Sequence, residues 1–225
     1  MDAGAGGDAH HSSDDASVDS SEGLAMTFYD WKHLYPELSI FSSSLHEIER
    51  ELQASSVWQD WPETYLYGPG QSWKVIPFCA TFPGDDATAT KWNHPMVSRF
   101  PRTVELLRQI PNVRTAGFSK LGSHTSLKYH QGWAALSNHV LRCHFPILVP
   151  EVNVACGVIC ENGFQFHKRG EWMVFDDSKL HKAFNHSDED RVVLIVDIAR
   201  PAFIQKGRSA VGMSPQLNLF LDAFA

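Results

Sequence analysis

A series of short strand-like runs in the second half of the chain constrains the fold most. After Pro111, apolar or alternating runs are separated by clusters of Gly, Asn and Asp. Runs of this kind at roughly ten-residue spacing are typical of an all-β barrel or sandwich. The runs read RTAGFSKL, HVLRCHFPILV, ACGVIC, FQFH, EWMVFD and RVVLIVDIA.

Two amphipathic helices are predicted before these strands. The segment SSLHEIERELQA places Leu45, Ile48 and Leu52 at helical spacing, behind Ser43 or Ser44 as the N-cap. The segment PRTVELLRQIPN has a proline near its start and another after its end, as helices often do. Two helices followed by many strands predict a mostly β jelly-roll with helices packed outside it.

Composition predicts a tail and one domain. Residues 1–24 are small, polar and acidic, which predicts a disordered acidic tail. Residues 25–225 are expected to form a single domain, because the chain of 225 residues is 43% hydrophobic.

Charge and cysteine usage exclude several functions. A net charge of -7 without a basic block argues against nucleic acid as a partner. The four cysteines include no CxxC pair, so buried reduced thiols are expected. The sequence has no apolar stretch near the ~20 residues of a membrane span and no signal-peptide pattern. We therefore expect cytoplasmic localisation. The oligomeric state stays open.

Strand alternation brings charged groups to one face. In a strand over 139–145, Arg142 and His144 share a face, while His139 points to the other side. Arg191 begins a nearly continuous apolar strand, so its guanidinium needs an anion. That anion is either a carboxylate-containing ligand or an acid from the adjacent segment 188–190. His181, about ten residues earlier, would lie at the same end of a barrel.

Several motifs together resemble the aspartyl/asparaginyl β-hydroxylase family. They are FDDS, a histidine three residues past its serine, an arginine ten residues after that histidine, and the ending LIVD…RP. The resemblance runs from about Trp73 to Pro201, and more weakly back to FYDWKHLYPELSIF. It implies a cupin-like double-stranded β-helix and an oxygenase that uses iron(II), 2-oxoglutarate and O2.

The resemblance also implies roles for individual residues. His130 and His181 match the iron ligands, and Gly132 stands where most related oxygenases have a carboxylate ligand. Ser119 and Arg191 match the residues that hold the distal carboxylate of 2-oxoglutarate. The pair Arg142 and His144 matches the Arg-x-His residues that hold its other carboxylate.

Some assignments have alternatives. The segment after Gly132 is longer than the family pattern, so His124 is an alternative first ligand. Asp176 and Asp177 are expected to cap the turn before His181 rather than to act as ligands or bases. Trp133, close in sequence to His130, is either a substrate wall or part of the core.

The predicted activity is hydroxylation of a C–H bond with release of succinate and CO2. The expected substrate is an Asp/Asn-type side chain, a peptide or a small molecule. Two readings compete with this one: a barrel that binds a metal or keto acid without turnover, and an inert scaffold that uses its histidines for internal hydrogen bonds. Convergence of six polar groups on one cavity would argue against the scaffold.

Overall fold

The computed structural model describes Met1 and residues 27–55, 57–151 and 154–222. Apart from Met1, the expected tail over 1–24 lies outside the described residues. Strands dominate the remainder, as the spacing of the apolar runs predicts. The strands are β1 (Phe28–Tyr29), β2 (Gln59–Asp60), β3 (Trp73–Thr81), β4 (Thr90–Trp92), β5 (Val113–Leu121), β6 (Thr125–Ser126), β7 (Val140–Leu148), β8 (Cys156–Cys160), β9 (Gly163–Phe166), β10 (Met173–Phe175), β11 (His181–Asn185) and β12 (Arg191–Ala199).

These strands form two antiparallel sheets. The larger sheet has the order β1-β10-β7-β12-β5-β3-β2, with β4 added beside β3. The smaller sheet has the order β6-β11-β8-β9. Side chains from both sheets line a common cavity, so the sheets face each other as in a double-stranded β-helix. The predicted mostly β, jelly-roll fold is confirmed.

Alternation along the central strand separates two environments. Val192, Leu194, Val196 and Ile198 of β12 pack into the core between the larger sheet and the helices. Ile195, on the opposite face, lines the cavity between the sheets. The strand therefore carries the period-2 pattern of a sheet buried on both faces.

Helices cover the outer face of the larger sheet, as predicted. Ser44 occupies the N-cap position of the helix Leu45–Gln53, but its hydroxyl accepts a hydrogen bond from Arg102 Nη2 at 2.9 Å instead of capping the helix. Ser43 instead donates its hydroxyl to the carbonyl of Ile40 at 3.1 Å. The α-helices are α1 (Trp31–Leu34), α2 (Ile40–Ser43), α3 (Leu45–Gln53), α4 (His94–Arg99), α5 (Pro101–Gln109), α6 (Ala134–Ser137) and α7 (Pro215–Asp222), and short 3-10 turns span Pro36–Ser39, Thr64–Leu66 and Ala87–Ala89.

One long strand, β3, lies before the region where the sequence predicts strands. Pro77 stands in its middle, and proline within a run normally argues against a strand because it lacks the N–H of the ladder. The register shifts between Pro77 and Cys79, so the missing donor falls at an irregularity of the β3–β5 pairing. A Cβ at Gly117, the partner of Pro77, would lie 2.8 Å from the carbonyl oxygen of Ile76.

Two predictions from composition concern the cysteines and the membrane. All four cysteines are buried with free thiols, as expected. Within the described residues, every helix is too short or too polar to cross a membrane.

Candidate active site

His130 and His181 form the centre of the site. The two residues pair as an isolated antiparallel bridge, and each backbone N–H donates to the other's carbonyl at 2.9 Å. Their ring centroids are 4.4 Å apart. The backbone pairing therefore holds two imidazoles from distant parts of the sequence side by side.

Hydrogen bonds fix the tautomer of both rings. Nδ1 of His130 lies 2.8 Å from the carbonyl oxygen of Lys128, and Nδ1 of His181 lies 2.8 Å from that of Lys179. A carbonyl only accepts, so each Nδ1 carries the proton and each Nε2 keeps its lone pair. Burial lowers the pKa of both imidazoles, which keeps them neutral at neutral pH. Each ring therefore has an Nε2 lone pair that could coordinate a metal ion.

Asp177 lies against this pair of histidines. Its carboxylate is 1% exposed, and Oδ1 is 3.3 Å from Nε2 of His181. A Cβ built on Gly132 would lie 1.9 Å from Oδ2 of Asp177. The carboxylate of Asp177 therefore occupies the space into which a side chain at position 132 would point.

The two aspartates of FDDS thus have different roles. Asp176 accepts hydrogen bonds from the backbone N–H and hydroxyl of Ser178 at 3.0 and 2.6 Å, and pairs with Arg200 at 2.7 Å. This is the predicted turn-capping role. Asp177 departs from that expectation because it faces the histidines and Arg142.

Arg142 is held by two buried carboxylates. Its Nε and Nη2 donate to Asp197 at 2.8 and 2.9 Å, and its Nη1 donates to Asp177. Three of the five N–H bonds of the guanidinium are thus engaged within the protein. Its charge is largely neutralised, so Arg142 is less free to bind a keto acid than the resemblance implies.

Arg191, in contrast, is buried and pairs with no anion among the described residues. The residue is 1% exposed, and within the described residues its Nε and Nη1 have no hydrogen-bond partner. Two of the three acids expected to compete for it pair elsewhere: Asp188 with His124 at 2.8 Å and Asp190 with Lys120 at 3.1 Å. Burial lowers the pKa of Arg191 to about 10, so the guanidinium remains protonated at neutral pH.

Two further predicted residues lie beside Arg191. Ser119 accepts a hydrogen bond from Nε1 of Trp73 at 3.0 Å, which leaves its own O–H available to a ligand. His144 is 4% exposed, and its Nδ1 lies 3.2 Å from Nε2 of His167. The structure brings all six predicted site residues to the wall of one narrow inner cavity of about 20 Å³: Ser119, His130, Arg142, His144, His181 and Arg191.

A larger outer cavity of about 530 Å³ adjoins this inner cavity and shares residues with it. Its wall is strongly aromatic. Trp61 stacks on Trp73 and Trp133 with centroids 4.5 and 5.7 Å apart, and Phe220 of α7 lies 6.0 Å from Trp61. Trp133 therefore lines a cavity rather than the protein core. The shared residues are Trp73, Ser119, His130, Arg142 and Ile195.

Two other histidines, His124 and His139, lie away from the inner cavity. His124 has a 65% exposed side chain that pairs with Asp188. His139 faces Asp85 at 3.7 Å, away from the cavity, as alternation predicts. Of the candidate first ligands, His130 is the one that meets His181.

Sequence reasoning missed three buried side chains of the site. Asp197 is on the same face of β12 as Arg191, and this alternation was a signal for it. Asp177 gave an ambiguous signal, because FDDS also matches a turn. His167 gave no signal, because it follows β9 and reaches His144 only through the fold.

The sequence pattern of the family described as aspartyl/asparaginyl beta-hydroxylase matches residues 29–201, which include the whole inner cavity. The chain belongs to this hydroxylase family.

A curated relative is the ornithine lipid ester-linked acyl 2-hydroxylase of Rhizobium tropici, 37% identical over 101 residues. The aligned part is 45% of this chain and 35% of that protein, so the match spans about a third of the relative's length.

Two solved structures share part of the shape. A 2OG-Fe(II) oxygenase family oxidoreductase from Burkholderia pseudomallei is 11% identical, with 76% of this chain and 94% of that chain covered and a TM-score of 0.49. HygX from Streptomyces hygroscopicus, solved with nickel and 2-oxoglutarate bound, is 11% identical, with 77% and 87% covered and a TM-score of 0.42.

Proposed function

We propose that this chain is an iron(II)- and 2-oxoglutarate-dependent oxygenase that hydroxylates a C–H bond of an apolar chain. His130 and His181 would hold the metal through Nε2. Arg191, with Ser119 beside it, would hold the distal carboxylate of 2-oxoglutarate, and His144 with the remaining N–H bonds of Arg142 would hold the other. When bound, iron(II) with 2-oxoglutarate and O2 supplies an oxidant for C–H bonds, with succinate and CO2 as by-products.

One observation carries this proposal: two imidazoles whose Nε2 atoms keep their lone pairs share a narrow cavity with a buried guanidinium that has no anion among the described residues. Leaving buried N–H groups unpaired costs about 1–3 kcal/mol each. A carboxylate ligand in the cavity would offset that cost. The donor set suits iron(II), which binds imidazole nitrogen and carboxylate oxygen.

Asp177 places a carboxylate beside the two imidazoles, although Gly132 has no side chain to do so. The described part of the chain contains no group of three His, Cys, Asp or Glu side chains that could hold a metal ion together. The two imidazoles are therefore the proposed protein ligands. Asp177 places a carboxylate next to them, which would favour binding of a divalent cation there, and Arg142 fixes its orientation.

The outer cavity favours an apolar substrate. Its aromatic wall, formed by Trp61, Trp133 and Phe220, suits a hydrocarbon chain. Buried Glu63 accepts hydrogen bonds from Trp133 Nε1 at 3.2 Å and from Tyr65 at 3.0 Å, which fixes the indole of Trp133 in this wall. The name of the lipid acyl 2-hydroxylase relative supports the same substrate class.

The test is a turnover assay with the purified chain. We expect slow, iron(II)-dependent formation of succinate from 2-oxoglutarate alone, because these oxygenases turn over weakly without substrate. Lipids with ester-linked acyl chains should accelerate it and acquire a hydroxyl group, which mass spectrometry detects. Peptides that contain Asp or Asn should have no effect.

Two variants control the assay. His181→Ala should abolish succinate formation, while His124→Ala, which removes an exposed histidine, should preserve it. Full activity of His181→Ala would refute the metal site. Absence of succinate in the wild type under every condition would instead favour a non-catalytic binder of metal or keto acid, and stimulation by Asp or Asn peptides alone would refute the apolar substrate.

A further inference from the structure

A second pair of imidazoles lies at the wall of the inner cavity. His144 and His167 are 4% and 2% exposed, and Nδ1 of His144 faces Nε2 of His167 at 3.2 Å. His144 lines the cavity together with Arg191, and its Nε2 is the ring nitrogen left for a ligand. His167 is held through its backbone N–H, which donates to the carbonyl of Cys156 at 2.9 Å.

A single proton lies in the contact between these two rings. Burial lowers the pKa of both His144 and His167 well below the usual range, and the charge of Arg191 acts in the same direction. Both rings are therefore neutral at neutral pH, and each has one protonated nitrogen. At 3.2 Å one nitrogen donates and the other accepts, so the tautomer of one ring determines that of the other.

Two arrangements satisfy this contact. In the first, Nε2–H of His167 donates to Nδ1 of His144, and His144 presents an N–H group from Nε2 to the cavity. In the second, Nδ1–H of His144 donates to Nε2 of His167, and His144 presents a bare lone pair. The contact therefore decides whether His144 can bind an anion.

The environment favours the first arrangement. Nδ1 of His167 is buried and has no partner among the described residues. In the second arrangement this atom would carry a buried, unpaired N–H, which is rare in proteins. The second arrangement would also turn a lone pair toward the place where Arg191 requires negative charge, which would repel a carboxylate.

We propose that His167 is a positioning residue of the co-substrate site, where its Nε2–H fixes His144 as the Nε2–H tautomer that binds a carboxylate of a 2-oxo acid. This inference rests on the proposed function. His167 itself does not touch the ligand in this account. It acts by setting the direction of one hydrogen bond.

The first test reads the tautomer directly. The side-chain ¹⁵N–¹H correlation spectrum of the wild-type chain, loaded with diamagnetic zinc(II), distinguishes Nδ1–H from Nε2–H rings. We expect His144 as Nε2–H, both before and after addition of 2-oxoglutarate. A His144 ring protonated on Nδ1 in the presence of 2-oxoglutarate would overturn the inference, and this measurement requires no folded variant.

The second test compares two replacements of His167. His167→Gln keeps an N–H donor, whereas His167→Phe removes it, and calorimetry with the zinc-loaded proteins gives the Kd of 2-oxoglutarate. The Phe variant should bind about three- to tenfold more weakly, as expected for loss of the neutral hydrogen bond that fixes the His144 ring. The Gln variant should stay within about twofold of wild type. The control His186→Phe, which replaces the exposed ring stacked on Phe184, should do the same.

The outcomes separate the inference from the proposed function. Equal loss of affinity in the Gln and Phe variants would show that His167 acts by packing and would overturn the inference. Wild-type affinity in His167→Phe would do the same. Failure of the wild-type protein to bind 2-oxoglutarate would refute the proposed function itself.

Discussion

Replacement of Arg191 by methionine should stabilise the ligand-free protein and weaken its binding of 2-oxoglutarate. Arg191 is the largest of the fully buried side chains in the described part of the chain, and its Nε and Nη1 have no hydrogen-bond partner there. Methionine resembles the aliphatic part of the arginine side chain and has no polar hydrogen. Replacement of a poorly compensated buried charge by an apolar side chain is worth about 1–4 kcal/mol in favour of folding.

The same change should remove a charged contact to the ligand. Such a contact is worth about 1.5–3 kcal/mol, so the Kd of 2-oxoglutarate should rise roughly ten- to 150-fold. At a ligand concentration of 100 times the wild-type Kd, 2-oxoglutarate should add about 2.7 kcal/mol to the free energy of unfolding of the wild type. The Arg191→Met variant should gain about 0.3–1.4 kcal/mol.

Urea unfolding of the metal-loaded protein, with and without 2-oxoglutarate, measures both effects. Arg200→Met is the matched control, because Arg200 is also buried but pairs with Asp176 at 2.7 Å. Breaking that pair should cost about 3–5 kcal/mol. If Arg191→Met lost as much stability as Arg200→Met, Arg191 would have a structural partner, and the anion-site argument would be wrong.

Two further substitutions test the neighbouring residues. Gly132→Ala should lower the free energy of unfolding by about 1–3 kcal/mol, because the new Cβ overlaps the carboxylate of Asp177. In urea unfolding the cost should shrink in an Asp177→Ala background, and an equal cost in both backgrounds would contradict the proximity of these residues. Trp133→Ala should raise the KM for an apolar substrate about ten- to 150-fold, from ~1.5–3 kcal/mol of lost burial, without changing substrate-free succinate formation. Trp92→Ala, which removes an indole beneath Arg108, should leave the KM unchanged, and an equal rise in both variants would refute the substrate wall.

Much of the fold follows from periodicity in the sequence. The alternation in β12 and β7 predicts which residues face the cavity. Both strands are buried on both faces, and the charged side chains of Arg191 and Arg142 can lie only on the face that has polar groups. Strand β3 escapes prediction, because Pro77 within it argues locally against a strand and only the β3–β5 pairing accommodates it. Such a long-range compensation has no local signature.

The site was predictable to a similar extent. Motif spacing with the family resemblance locates the six residues of the inner cavity. It does not predict that Asp177 fills the space beside Gly132, or that Asp197 and Asp177 engage Arg142. These contacts depend on side chains from different strands, and so does the contact of His167 with His144. The sequence therefore predicts which residues line the cavity better than it predicts how they are paired.

Anaerobic titration of the chain with iron(II) and 2-oxoglutarate tests the central proposal most directly. Chelation of iron(II) by a 2-oxo acid produces a visible charge-transfer absorption, which reports the assembled site without turnover. The account predicts that the wild type and His124→Ala develop this absorption, while His130→Ala and His181→Ala do not. A wild-type absorption in His130→Ala, or its loss in His124→Ala, would contradict the account.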